Sequence, residues 1–440
     1  MNKEVFDLAA AAIQTAKGAG ADASCVNISS ERSVEVSYRE RKPETIKEAS
    51  TRNFQIELYV DGRYSSQRTS DLRPDALKRF ITDSVKATKL LAEDRFRSLP
   101  DPKYYSGRED HDLDILDAGY AKLKPGDRHD IAKTIEDTSL KEGGPKVVSV
   151  TSSVEDGRSE SLLMTSNGFE GTRESTYYAL VAQVALQDEG DRRPSGYSYV
   201  VGVNWKDLPR PEQVGAEAVE RTRALLGGRK EKTETLPIII ENRNVPRILG
   251  GLLQAMSGRA IQQKQSFLAD KKGQKIGSDI LTLVDDPFVP RGLGSRLFDG
   301  DGLTAKRRTM IDAGVLQEFY VDWYYSRKLG WEPTTGRSSN IIIPPGKRSV
   351  PEIMKDLGRG ILITDFIGGN SNSTTGDSSV GILGLLFEGG EPVRAVAEMN
   401  IAGNALEFWP KLIEVANDPW PHSAQRTPSL VFRDVVVSGV

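Results

Sequence analysis

A single cysteine, Cys25, stands in a chain of 440 residues, and only three histidines, His111, His129 and His422, accompany it. One cysteine excludes an internal disulfide and fits a reducing compartment, so a cytoplasmic setting is expected. Three scattered histidines leave little imidazole from which to build a metal centre. No stretch approaches the ~18 uninterrupted apolar residues that a membrane span requires. Glu4 and Asp7 lie beside the first apolar stripe, where a secretory leader would show a basic start and an unbroken apolar core. Excess charge is lacking too: 59 Lys and Arg against 62 Asp and Glu leave −3. That gives no electrostatic footprint for direct nucleic-acid binding. What is present is ordinary globular material, 38% hydrophobic and 28% charged. A chain of this length suggests roughly two to four domains and buries about 75% of its unfolded surface.

Apolar periodicity divides the chain into three parts. Residues 2–17 read as an amphipathic helix with Val5, Leu8, Ala9, Ala12, Ile13 and Ala16 as its stripe, stopped by Gly18 and Gly20. Strand alternation follows at 26–28, 34–38 and 54–60. Asp61-Gly62 is a hairpin turn, and 63–69 the returning strand. Residues 71–93 form a second helix, with Leu77, Phe80, Ile81, Val85 and Leu90 turned inward. The polar, proline-bearing stretch 95–117 is a linker or surface excursion, and His111, between Asp110 and Asp112, belongs to a solvated loop. A helix at 127–142 precedes strands at 147–150, 159–165, 177–186 and 198–203, then a helix at 211–226. Gly227-Gly228 marks a boundary, and 229–232 reads as a solvated linker face. The expected units are therefore 1–95, 110–228 and 229–440. Beyond the boundary, strand signals fall at 280–284, 304–311, 315–320, 361–367, 380–388, 393–399 and 430–437, with helices at 322–329, 350–358 and 402–415. Trp323, Tyr324, Tyr325 and Trp331 read as core packing rather than a stacking platform. The fold class expected is α+β: N-terminal α/β units with antiparallel sheet, then a large antiparallel sheet or barrel with helices.

One stretch, 236–267, organises the rest. A short apolar run at 236–240 reads as a buried strand, and Asn244 stands at a helix cap position. Ile248, Leu249, Leu252, Leu253 and Met256 then recur at helical spacing. Gly250, Gly251 and Gly258 lower helix propensity, which suggests close backbone packing. This segment resembles the central helix of the TldD/PmbA family, the modulator of DNA gyrase or TldD/TldE proteases. In that family's catalytic branch the helix carries Leu-Leu-His-Glu-x-x-x-His, whose histidines bind zinc and whose glutamate activates water. Here Leu252-Leu253 is followed by Gln254, Ala255 and Arg259 at the His, Glu and His positions. The family's third ligand is a C-terminal cysteine, and the one cysteine here is Cys25. Gln254 is a poor zinc ligand, Arg259 a permanent cation, and Ala255 cannot serve as a base. A core helix without metal is the expectation, with zinc confined to a catalytic partner. The resemblance is to the non-catalytic TldE/PmbA-like branch.

Four further stretches carry the resemblance: 302–308, 324–330, 374–381 and 399–404. Thr375, Gly376, Asp377 and Ser378, with Asn400 and Asn404, match a region that borders the family's substrate cleft. From the residues themselves, Thr375-Gly376-Asp377 is equally a tight turn, and Asn404 a helix cap. The resemblance implies a subunit that pairs with a zinc-bearing TldD-like chain and helps to enclose unfolded peptides. A homodimer that binds peptides without cutting them, and a metal-independent hydrolase using Ser378 or Thr375, are the alternatives. His422, flanked by Pro421 and Ser423, is expected in a surface loop.

Overall fold

Alternating apolar side chains build very long strands in the first half of the protein. The computed structural model describes residues 2–440. It begins with helix α1 (Lys3–Gly18), followed by β1 (Ala23–Arg39), β2 (Lys42–Val60), β3 (Arg63–Thr69) and α2 (Pro74–Thr88). Then come α3 (Pro125–Gly143), β4 (Val147–Thr165), β5 (Glu170–Leu186), β6 (Ser195–Gly202) and α4 (Pro211–Arg223). The six strands form one antiparallel sheet in the order β3-β2-β1-β4-β5-β6. Its β1–β4 pairing, from Cys25 opposite Thr165 to Arg39 opposite Thr151, joins the segments expected at 1–95 and 110–228.

Even-numbered β1 residues lie under the helices. Val26 and Ile28 pack with Ala9, Ile13, Phe54 and Ile81 beneath α1 and α2. Val34 and Val36 pack with Ile135, Val154, Leu180 and Val214 beneath α3 and α4. The odd-numbered face, with Cys25 and Asn27, turns toward the C-terminal part. Strand signals at 26–28 and 34–38 belong to one strand, as do those at 147–150 and 159–165, because backbone pairing continues through the polar residues between them. Leu90 is a correction: α2 ends at Thr88, so Leu90 falls in the following turn and is 86% exposed.

The C-terminal half contains β7 (Glu234–Ile240), α5 (Val245–Ala255), α6 (Gly258–Gln262), β8 (Leu283–Asp286), β9 (Arg308–Asp312) and β10 (Val315–Leu316). It continues with α7 (Trp323–Leu329), β11 (Asn340–Ile342), α8 (Val350–Leu357), β12 (Arg359–Ser371), β13 (Asp377–Glu388) and β14 (Glu391–Asn404). It ends with α9 (Ala405–Phe408), β15 (Leu412–Val415), β16 (Gln425–Arg426) and β17 (Leu430–Ser438). Strands β14, β13, β12, β7 and β17 close into a barrel where Asn400 and Ile401 meet Ser438 and Val437. The β7–β12 contact is parallel and the others antiparallel; β15 extends the sheet on β17. A smaller sheet runs β10-β9-β8-β11-β16.

The α+β class therefore holds, with the expected large sheet realised as a closed barrel. Residues 402–415 are not one helix: Ala402 and Gly403 pair with Ser379 and Ser378 in the β13–β14 ladder. Pro410 then restricts the helical part to α9 and a single 3-10 turn. The strands signalled at 280–284, 304–311 and 315–320 shorten to β8, β9 and β10. Residues 229–232 are largely exposed, as a solvated face should be, and are also tied to the barrel: Arg229 N–H reaches Ala395 O at 3.4 Å, and Glu231 accepts two bonds from Arg394 at 2.6 and 2.9 Å. The 95–117 excursion is a strap between the halves. Its Tyr104 hydroxyl donates to Glu332 at 2.6 Å, its Tyr105 hydroxyl to Asn167 at 3.1 Å, and Leu113 and Ile115 are buried. Among the described residues no helix is long and apolar enough to cross a membrane.

Candidate functional site

Helix α5 has an apolar side and a side thinned by two glycines. Val245, Leu249, Leu252 and Ala255 are buried in the barrel core, and Met256 follows them in. On the other side Arg247, Gly250, Gly251 and Gln254 line a groove of about 350 Å³. The close packing that the glycines suggest holds unevenly. A Cβ on Gly250 would meet nothing within 4 Å, whereas on Gly251 it would come 2.9 Å from Ser371 Oγ. Asn244 sits at the cap position, yet its side chain donates to Glu241 Oε2 at 3.0 Å and Thr364 O at 2.7 Å instead of capping.

The helix does not continue to Arg259. Ser257 is extended, at φ −81° and ψ 137°, and its hydroxyl accepts from Ala260 N–H at 3.2 Å, which starts α6. Gly258 N–H donates to Tyr320 O at 2.7 Å. Gln254 is therefore exposed at the groove, Ala255 is fully buried, and Arg259 is exposed on a separate short helix. These residues do not suit a catalytic zinc: one amide, one methyl and one guanidinium supply no anionic or imidazole donor. Among the described residues no three His, Cys, Asp or Glu side chains gather as a metal donor set.

The far wall of the groove is the projecting end of the β12–β13 hairpin. Beyond Ile363, β12 pairs with β13 only, so the backbone of residues 365–371 keeps one open edge. Arg247 reaches across and donates to Gly368 O at 3.0 Å. The turn at 372–376 is held from below. Asn404 Nδ2 donates to Thr375 O and to Asp377 Oδ1, both at 2.9 Å, while its Oδ1 accepts from Leu406 N–H at 3.0 Å and caps α9. These bonds from Asn404 and one from Thr375 hold the Asp377 carboxyl below its usual range. Gly376 takes φ +86°, and a Cβ there would approach the Asn404 amide and the Phe267 ring at 3.3 Å.

The sequence-predicted residues thus separate by position. Gln254, Gly376 and Ser378 line the groove; Thr375, Asp377 and Asn404 buttress the turn; Asn400 lies in the barrel ladder opposite Gly381, accepting from Ser379 Oγ at 3.1 Å. Phe267, Ser371, Ile401 and Phe408 also line it; nothing in their sequence context distinguishes them from core or turn residues. The Gly250-Gly251 pair is the available signal, two positions without side chains between Arg247 and Gln254.

Ser378 Oγ reaches Gly403 O at 3.5 Å, and the histidines are engaged elsewhere. His111 pairs with Glu109 at 2.7 Å, and His129 meets the Tyr38 hydroxyl at 3.1 Å. His422 is not in an open loop: it packs on Trp420, contacts Val201 O at 3.1 Å through Nδ1, and burial lowers its pKa. The aromatic stretch 323–325 sits at the seam between the halves, with Trp323 Nε1 on Ser98 at 3.1 Å and the Tyr324 hydroxyl on Asp94 at 2.7 Å.

Comparison with known proteins matches residues 120–226 to the PmbA/TldA metallopeptidase central domain and 233–439 to the PmbA/TldA metallopeptidase C-terminal domain. A Bacteroides thetaiotaomicron crystal structure named for a modulator of DNA gyrase is 37% identical, with each chain fully covered and a TM-score of 0.97. The metalloprotease PmbA of Escherichia coli O157:H7 is 28% identical over 97% of this chain and 94% of its own. TldE of Thermococcus kodakarensis shares the fold at 22% identity, with 98% and 100% of the two chains covered and a TM-score of 0.86.

Proposed function

The chain belongs to the PmbA/TldD metallopeptidase family, and from that membership we propose that it is a zinc-free, TldE-like subunit that binds peptide for a zinc-bearing partner. The observation that carries this is the exposed side of α5. Arg247, Gly250, Gly251 and Gln254 face the groove and offer neither an acid, a thiol nor an imidazole. What they offer is room beside an open strand edge. An extended peptide pairs with such an edge through its main chain, while pockets beside it sort the side chains. Phe267, Ile401 and Phe408 give the groove an apolar floor, and Ser371 and Ser378 give it hydroxyls. The bond from Arg247 to Gly368 O is where an incoming strand competes. Hydrolysis in this reading belongs to the partner's zinc, and the chain supplies orientation and enclosure.

The test is reconstitution. The purified chain is incubated with an unfolded peptide alone, with a zinc-bearing relative, and with that relative plus chelator. Cleavage in the mixture that exceeds the relative's own activity and disappears with chelator, together with co-elution of the two chains, is expected. Hydrolysis by the lone chain, or stoichiometric zinc on it, would overturn the reading. Peptide binding by a stable homodimer that does not engage the relative would replace it with the homodimer alternative.

A further inference from the structure

A second cavity, of about 600 Å³, lies on the odd-numbered face of the N-terminal sheet, roofed by C-terminal loops. Its floor includes Glu57 of β2 and Arg173 of β5, and its roof Arg296, Asp299, Asp301 and Asp322. Among the described residues none of these six makes an ion pair within 4 Å, although all border one space.

Glu57, Asp301 and Asp322 lie toward β2 and the Arg173–Arg296 pair toward β5, and Arg68 of β3 and Arg97, which acts on Glu57 and Asp322, also stand at the acidic end. Burial, then the neighbouring Asp299, Asp322 and Glu57 carboxylates, raise the Asp301 pKa. Its carboxylate accepts from Trp323 N–H at 3.3 Å. Glu57 lies on β2 opposite Cys25. Arg173 lies across the sheet on β5, where burial and the neighbouring Arg296 guanidinium lower its pKa. Arg296 spends its terminal nitrogens on the carbonyls of Arg337 and Ser338, and its Nε is buried without a partner among the described residues. Asp299 is within the influence of Arg296 and itself acts on Asp301. Two further arginines, Arg68 and Arg337, line the space; Arg68 is engaged with Gln55 at 2.9 Å.

From β2 to β5 the sheet makes three strand steps, through β1 and β4, about 14 Å at ~4.8 Å each, and Arg173 is level with Ser161, Ser29 and Asn53, four residues along β2 from Glu57, so the diagonal is about 20 Å. An extended peptide advances ~3.4 Å per residue, so about six residues span that distance. A free peptide of that size carries an ammonium at one end and a carboxylate at the other. We propose that this cavity binds short zwitterionic peptides, with the carboxylate at Arg173 and Arg296 and the ammonium at Glu57, Asp301 and Asp322. Ligands of this class are what endoproteolysis leaves behind, but the site stands apart from the groove at α5 and does not depend on its role.

The test is calorimetric titration of the full chain with the hexapeptide (Ala-Ser)3, its N-acetyl form and its C-terminal amide. Blocking either end removes a charge-assisted contact and is expected to weaken binding by about tenfold or more. Arg173→Gln should abolish the preference for the free carboxylate while keeping that for the free amine. Asp301→Asn should do the reverse, with Glu57→Gln as a second variant at the same end. Gly250→Trp, which obstructs the groove, should leave hexapeptide binding intact. No binding at millimolar hexapeptide, equal affinity for blocked and free peptides, or loss of binding in Gly250→Trp would each overturn the proposal.

Discussion

At the scale of single residues, a fully buried ion pair lies away from both cavities. Arg128, on the first turn of α3, reaches Asp156 of β4 with Nε at 2.5 Å and Nη2 at 2.7 Å, and both side chains are essentially without solvent contact. Such a pair adds little net stability, but breaking it strands a buried charge at a cost of about 3–5 kcal/mol. Arg128→Met is expected to lose that much in urea denaturation, and the double change with Asp156→Leu to recover most of it. A double variant as unstable as the single one would show that the geometry of the pair, not its charge, is what matters. Gly376 is the matching case for the backbone. Its φ of +86° and the 3.3 Å approach of Asn404 and Phe267 predict that Gly376→Ala costs roughly 1–2 kcal/mol. Its peptide affinity should fall as well, because the groove-lining turn shifts. A stability equal to that of the parent, measured by denaturant midpoint, would refute this.

At the scale of the element, α5 shows how one helix can be half core and half binding surface. Gly250 is exposed, and a Cβ there meets nothing, so Gly250→Ala should stabilise the helix by about 0.5–1 kcal/mol. Gly250→Trp should fold equally well yet block peptide in a fluorescence-polarisation assay. Retained binding in the tryptophan variant would move the peptide site away from this groove. The apolar side of α5 is readable from spacing alone, because Leu249, Leu252 and Met256 obey one period. Its end is not: the break at Ser257 depends on Gly258 meeting Tyr320, a residue 62 positions later that no local pattern announces. The same limit explains 402–415, where local apolar spacing suggests a helix but pairing with β13 holds Ala402 and Gly403 extended. In the candidate site, the resemblance singles out Gln254 as a vacated metal position and Gly376 and Ser378 as cleft residues, each within its own contiguous stretch. It misses Phe267 and Phe408, which reach the groove only through tertiary packing.

At the scale of the whole molecule, the two halves are joined through a seam that contains buried acid, where Arg97 is the cation acting on Glu57 and Asp322. Asp301 is pushed up to about 8 by burial, by Asp299 and by Asp322. The sign of the consequence comes from linkage. Near pH 4 and below, the carboxyl is neutral in both the folded and the unfolded chain, and its contribution to stability is fully present. As pH rises the unfolded chain ionises first, so stability declines until the folded-state value near 8 is passed. Asp299 and Glu57 shift in the same direction, each chiefly through burial, which widens the effect without reversing it. Because Trp323 N–H and the Ser98 contact tie this cluster to the strap between the halves, the softening should appear first as separation at the seam. Hydrogen exchange at about pH 5 and about pH 8, corrected for intrinsic rates, should show faster relative opening of 296–301 and 322–326 at the higher pH. Asp301→Asn, neutral throughout, should flatten the dependence and hold the seam at its low-pH protection. An unchanged slope in that variant would place the pH response elsewhere and leave Asp301 without a part in joining the halves.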